Sequence, residues 1–184
     1  MSGKKRYALV GTGGRSEIYI QALVKDFREV GELVALCDIS PGRTQVYAEW
    51  AAQYGVHVKT YLAEDFDRMI AECQPQTIIV TSKDSTHDQY IVRAMEMGCD
   101  VITEKPMTIH EEKCQRILET RQNTGRQCRV TFNYRYSPPN TQIKDLLMSG
   151  VIGGFPLAAQ HDSRRRLFPA LASAQSQQRR AACA

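Results

Sequence analysis

The chain has 184 residues, 42% hydrophobic and 24% charged, which is ordinary globular composition and long enough for a real core in one domain, or in one domain plus part of another. Its net charge of +4 sits entirely at the end: residues 1–153 hold 19 Lys+Arg and 19 Asp+Glu, while 154–184 hold Arg164, Arg165, Arg166, Arg179 and Arg180 against Asp162 alone, so no basic nucleic-acid face is expected upstream. No apolar run approaches the ~20 residues of a membrane span, and the start lacks the apolar core of a leader, so a mature cytoplasmic protein with no membrane partner is expected.

"RYALVGTGG" (6–14) is a short apolar run ending in glycines, read as a buried strand and turn, and residues 15–30 place Ile18, Ala22 and Phe27 at helical spacing. "ELVALCD" (32–38) is a second strand, and residues 43–55 are a helix ending at Gly55. A strand over 56–61, a helix over 63–74 and the β-branched strand "QTIIVTS" (76–82) follow. Residues 85–98 are a helix with Ser85 or Thr86 as N-cap and Gly98 as C-cap. "CDVITEKP" is a fifth strand ended by Pro106. The helix over 108–125 opens on a capping box of Thr108 and Glu111 and closes at Gly125. A sixth strand over 126–136 and a short helix over 140–154 complete the ordered pattern. Repeated strand–helix units with buried strands predict an α/β fold, a doubly wound parallel sheet, whose ligands bind at the carboxyl ends of the strands.

Six cysteines are scattered without a C-x-x-C pair and the four histidines are dispersed, which predicts free thiols in a reducing compartment and no metal site.

Four strand ends therefore matter. "GTGGRS" follows the first strand. Gly11 and Gly13 match the first two glycines of G-x-G-x-x-G, Gly14, Arg15 and Ser16 complete the loop, and Ser16 replaces the third glycine where a small residue suffices. The helix start beyond it favours a bound anion. Asp38 ends the second strand, 27 residues after Gly11. Its carboxylate can accept both hydroxyls of an adenosine ribose and repel a 2′-phosphate, favouring NAD, with Arg43 keeping NADP possible; the plainer reading is an Asx turn into "ISPG". Beyond the fourth strand, Thr81 and Ser82 would lie along the cofactor. His87 is either a cofactor contact or a packing histidine at the helix start. After the fifth strand, "EKPMT" puts Glu104 and Lys105 before a proline, where the ammonium can hold a substrate hydroxyl or assist proton transfer, or merely form a surface ion pair.

The set "GTGGRS", "LVALCD", "TSKDSTHDQY", "CDVITEKPMT" and "FNYRYSPPNTQIKDLLMSGVIG", in this order over residues 6–153, resembles the Gfo/Idh/MocA family of oxidoreductases, with Glu104–Lys105–Pro106 its most specific element. The resemblance implies an N-terminal Rossmann domain binding NAD(P) and acting on sugars, inositols or related polyols. It also implies a second α/β domain carrying substrate contacts and homo-oligomerisation. Lys105 would be the catalytic lysine touching cofactor and substrate, and Asn133, Tyr134 and Arg135 would stand at the domain junction. The expected domains are 1–135 for cofactor binding, 136–153 for the start of the second domain, and 154–184 as an aberrant, disordered tail.

At Gly153 the family pattern breaks. Read one base later, codons permitted by residues 155–183 can spell "FHWLLNTTHGADYFRRWHRLKANSGGLLV", which resembles the start of that second domain. The tail is therefore read as a frameshifted continuation. The chain would keep its cofactor cradle and lack turnover alone; a non-catalytic dinucleotide-binding or sensing module is the alternative.

Overall fold

Short β-branched and aliphatic runs, each followed by a turn and an amphipathic segment, can satisfy their backbone only by pairing with one another under a cover of helices. The computed structural model describes residues 3–151 and shows that solution. The readings placed on 152–184, including the tail, lie outside the described residues. Six strands, β1 (Lys5–Val10), β2 (Gly31–Asp38), β3 (Lys59–Leu62), β4 (Thr77–Val80), β5 (Asp100–Thr103) and β6 (Cys128–Val130), form one sheet in the order β3-β2-β1-β4-β5-β6. Every neighbouring pair is parallel. The order reverses between β1 and β4, which opens a crevice at their carboxyl ends.

The strand period of two sorts side chains to opposite faces. Ala8, Val10, Ile78 and Val80 join one core cluster, with Phe66, Met69 and Ile70 of α3 (Phe66–Cys73), Ile91, Val92 and Met95 of α4 (His87–Glu96) and Ile117 of α5 (Glu111–Thr124). Leu9 and Ile79 point the other way, into a cluster with Ile20, Leu23, Val24 and Ala51. These come from α1 (Glu17–Gln21), the wider turn Ala22–Asp26 that continues it, and α2 (Pro41–Ala52). The alternation slips once. Tyr7 pairs with Leu33 and Ala8 with Ala35, so Val34 is an extra residue, and it shares a core face with Ala35.

Several sequence expectations are corrected. Helix α1 and the turn that continues it bury Ile20, Leu23 and Val24, whereas Ile18 and Phe27 are more than half exposed. Ile20, Leu23 and Val24, spaced i, i+3, i+4, pack in the cluster that holds Leu33 and Leu36 of β2. The capping box at Thr108 does not form: α5 starts at Glu111 behind His110 with no side-chain cap, and the Thr108 hydroxyl is buried without a partner. The sixth strand is limited to Cys128–Val130, and Asn133–Tyr136 is a 3-10 turn. The final helix, α6, runs Pro138–Met148 with Pro at its start and buries none of its residues. Gly98 and Gly125 take positive φ values of 85° and 66° at the ends of α4 and α5, as their positions require.

The chain divides into two compact units, the first running to Phe132 and the second starting at Asn133. The sheet and every strand-end residue considered below, apart from Asn133, Tyr134 and Arg135, belong to the first.

Candidate functional site

Gly11 follows β1 with φ 91°, and a Cβ there would overlap the backbone of Ser82. Only glycine lets the ends of β1 and β4 approach so closely. Thr81 fastens that approach: its N–H donates to Val10 O at 2.9 Å and its hydroxyl to Gly11 O at 2.7 Å. Gly13 and Gly14 face open space, so the loop's backbone is accessible from above.

Asp38, 5% exposed, holds the loop from below. Its Oδ2 accepts the Thr12 N–H at 2.6 Å and the Thr12 hydroxyl at 2.9 Å, while Oδ1 accepts the Ser40 N–H at 2.9 Å. The Asx turn is therefore real, and it coexists with a place in the pocket wall. A carboxylate offers about four acceptor positions. Three are occupied here, and one remains for a ligand hydroxyl.

The pocket occupies about 390 Å³ at the carboxyl ends of β1, β2 and β4, inside the usual range for a small-molecule site. Gly11, Gly13, Asp38, Thr81 and Ser82 line it, as the sequence predicts. So do residues that sequence reasoning left out: Ile39, Lys83, Thr86 and Tyr90. Ile39 is 80% exposed directly after the strand-end acid, an apolar surface suited to an aromatic base. Arg43 also lines the pocket. Their signal was proximity to Asp38 and Ser82 in sequence, which says nothing of direction until the turns are known.

Gly14, Arg15, Ser16, His87, Glu104 and Lys105 stand outside that lining. Ser16 is fully buried and its hydroxyl donates to Gly13 O at 2.6 Å, so it shapes the loop from within. His87 is buried at the start of α4 between two backbone carbonyls. Asp88 beside it, also buried, accepts from Lys113 of α5 at 2.7 Å, and the same ammonium donates to Ser85 O, which clamps the two helices together.

Glu104 is the centre of a network just past β5. Its Oε1 accepts Arg15 Nε–H at 2.8 Å and the Tyr19 hydroxyl at 2.6 Å, and its Oε2 accepts the Lys105 N–H at 3.2 Å. Tyr19 also meets the Thr131 hydroxyl at 2.8 Å. Burial works against the Glu104 carboxylate, but the hydrogen bonds from Tyr19 and Arg15 outweigh it and hold its carboxyl below the ordinary range. Burial, and then the bond to Glu104, push the Tyr19 phenol up to about 12. Arg15 is thus held by Nε with its side chain still 41% exposed beside the glycine loop. Lys105 is exposed on the same rim. Asn133, Tyr134 and Arg135 form an exposed turn in the second compact unit.

The residues present fit a dinucleotide: a glycine loop with open backbone, a strand-end acid with a spare acceptor position, and an apolar wall beside it. Among the described residues no group of three or more His, Cys, Asp or Glu side chains is arranged to hold a metal ion. No described helix is long and apolar enough to cross a membrane.

Comparison with known proteins agrees with this geometry. The family model GFO_IDH_MocA, described as an oxidoreductase family with an NAD-binding Rossmann fold, matches residues 5–132. The chain is 33% identical to YteT of Bacillus subtilis over 150 residues, covering 81% of this chain and 35% of that protein. It is 30% identical to inositol 2-dehydrogenase of Salmonella typhimurium over 146 residues, covering 79% and 42% respectively. Among solved structures, scyllo-inositol dehydrogenase from Lactobacillus casei, with bound NAD(H) and scyllo-inositol, superimposes with TM-score 0.69 at 22% identity, over 82% of this chain and 43% of that one. The chain therefore spans less than half the length of these relatives.

Proposed function

Because the chain belongs to the Gfo/Idh/MocA oxidoreductase family, with its NAD-binding Rossmann fold, we propose that it is the cofactor-binding portion of an NAD-dependent dehydrogenase acting on an inositol, sugar or related polyol. The observation that carries this is the pocket at the point where strand order reverses, walled by Gly11, Gly13, Asp38 and Ser82. Bound NAD supplies the hydride acceptor. The open backbone of Gly13 and Gly14 receives the pyrophosphate, with Arg15 beside it, its Nε fixed by Glu104. The spare position on Asp38 takes a ribose hydroxyl, and its charge disfavours a 2′-phosphate, while Arg43 keeps NADP admissible. Lys105 holds the substrate hydroxyl and assists its proton transfer.

Turnover needs a surface that holds the substrate and excludes water, and the second domain of the relatives supplies it in this reading. Asn133, Tyr134 and Arg135 mark its junction, and it also carries homo-oligomerisation. We read residues 154–184 as a frameshifted continuation of that domain, a point the nucleotide sequence around codon 153 decides. The buried free thiols of Cys37, Cys73 and Cys99 suit a reducing cytoplasm.

Titration of the purified chain with NADH, followed by fluorescence, should saturate; no binding at millimolar cofactor would sink the reading. The chain carried through the restored frame should oxidise an inositol or sugar in a substrate panel. Binding without any turnover there would instead mark a sensing module.

A further inference from the structure

Thr81, Ser82, Thr86 and Tyr90 bring hydroxyl groups to the pocket wall, and the first three spend their protons on its own loops. Thr81 donates to Gly11 O at 2.7 Å. Thr86 donates to Lys83 O at 2.7 Å, which uses its only proton. The 2.9 Å contact between the Ser82 and Thr86 hydroxyls therefore has Ser82 as its donor. The Tyr90 hydroxyl, carried on α4, is different: among the described residues it has no hydrogen-bond partner. Its ring is nevertheless held. Half-buried, it packs edge-on against Phe66 of α3, with centroids 5.0 Å apart and planes at 64°. Burial, and then the neighbouring Cys37 and Asp38 groups, push the phenol above its ordinary range, so the proton stays in place to be donated. A braced ring with an uncommitted donor loses little side-chain freedom when a ligand arrives. The same pocket holds the spare acceptor position of Asp38, so it offers one unused hydroxyl donor and one unused carboxylate acceptor.

We propose that Tyr90 is a binding residue for the adenosine half of the dinucleotide: its hydroxyl donates to an acceptor atom of the adenosine, while Asp38 accepts from a ribose hydroxyl and the exposed Ile39 supplies apolar surface to the base. A ligand without that acceptor leaves the phenol unpaired, so Tyr90 selects for the adenosine end and makes no demand on the nicotinamide. The assignment deepens the proposed NAD-binding reading and rests on it.

The test is a pair of fluorescence titrations on the whole chain and on Tyr90→Phe, one with NADH and one with ADP-ribose, which lacks the nicotinamide, displacing NADH. The variant keeps the ring against Phe66 and loses only the hydroxyl oxygen. Both ligands should weaken by the same factor, roughly threefold to tenfold, as one neutral hydrogen bond is lost. The urea midpoint of the cofactor-free chain should stay where it is. Unchanged NADH affinity, a loss that ADP-ribose does not share, or a lowered urea midpoint overturns the proposal. If Tyr90→Phe does not fold, the wild type labelled at the tyrosine Cζ with 13C decides. The Tyr90 signal, assigned through its contact with the Phe66 ring, should move on addition of ADP-ribose, and a stationary signal overturns the proposal. The two readings fail differently: a wild type that ignores NADH removes the cofactor reading itself, whereas a wild type that binds and a variant that binds equally well remove this assignment alone.

Discussion

Asp38 at the end of β2 and Glu104 just past β5 are both buried acids on the carboxyl rim, and their surroundings differ in kind. Asp38 accepts only from neutral donors, the Thr12 and Ser40 groups, and opens onto the pocket with Ile39 and Arg43. Glu104 is engaged by Arg15, Tyr19 and the Lys105 N–H, outside the pocket lining. An acid at a strand end can therefore face a ligand or knit the scaffold, and its hydrogen-bond partners distinguish the two. The Asp38 side is a place for binding energy to be gained. On the Glu104 side the energy is already invested in holding α1, β5 and β6 together.

The largest effect should come from the element both regions depend on. Gly11→Ala meets the Ser82 backbone and a φ of 91°, and should cost roughly 2–5 kcal/mol in urea unfolding while abolishing NADH binding. A soluble variant that binds NADH normally would break the argument for this close approach. Next, Glu104→Gln should lose about 2 kcal/mol of stability, because Arg15 and Tyr19 lose their charged acceptor. The pH dependence has a definite sign. Glu104 is held below its ordinary value of 4.5, so its contribution is present above that value and is lost as pH falls through the lowered one. The acid limb of unfolding should accordingly be flatter in the variant than in the wild type. An unchanged acid limb would place the charge of Glu104 elsewhere in the balance.

Asp38→Asn should act on selectivity and on stability together, because each carboxylate oxygen accepts a backbone N–H and the amide NH2 must face one of them. Removing the charge that opposes a 2′-phosphate should shift relative affinity toward NADPH by roughly tenfold, measured by parallel titrations. If the shift is absent and only stability falls, Asp38 belongs with Glu104 as a scaffold acid. The smallest effect is expected from Arg43→Ala, which should weaken NADPH alone by roughly threefold, an effect that fades with added salt because the side chain is exposed.

Local chemistry made much of this legible. Alternating apolar runs, glycines at Gly98 and Gly125, and the Gly11 turn all express short-range sterics, and the strand–helix order followed from them. The site was legible where function and backbone shape coincide: Gly11, Gly13, Asp38, Thr81 and Ser82 do gather at one pocket. Ser16 and His87 were read in the same neighbourhood, but their side chains turn inward, and no spacing rule reports which way a turn aims a hydroxyl or an imidazole. The Thr108 cap illustrates the same limit, since the four-residue pattern Thr108–Glu111 was present and the helix began only at Glu111.

The sequence by itself determined the class of fold, the position of the nucleotide-type loop and the acid that follows it, because each depends on residues within a few positions of one another. Only the tertiary structure decided which face of α1 is buried, that Val34 bulges, that Arg15 and Tyr19 converge on Glu104 across more than 80 residues, and that Ile39, Lys83 and Tyr90 complete the pocket. Those outcomes depend on pairings between distant strands, and a pairing fixes side-chain direction only once the whole sheet has assembled.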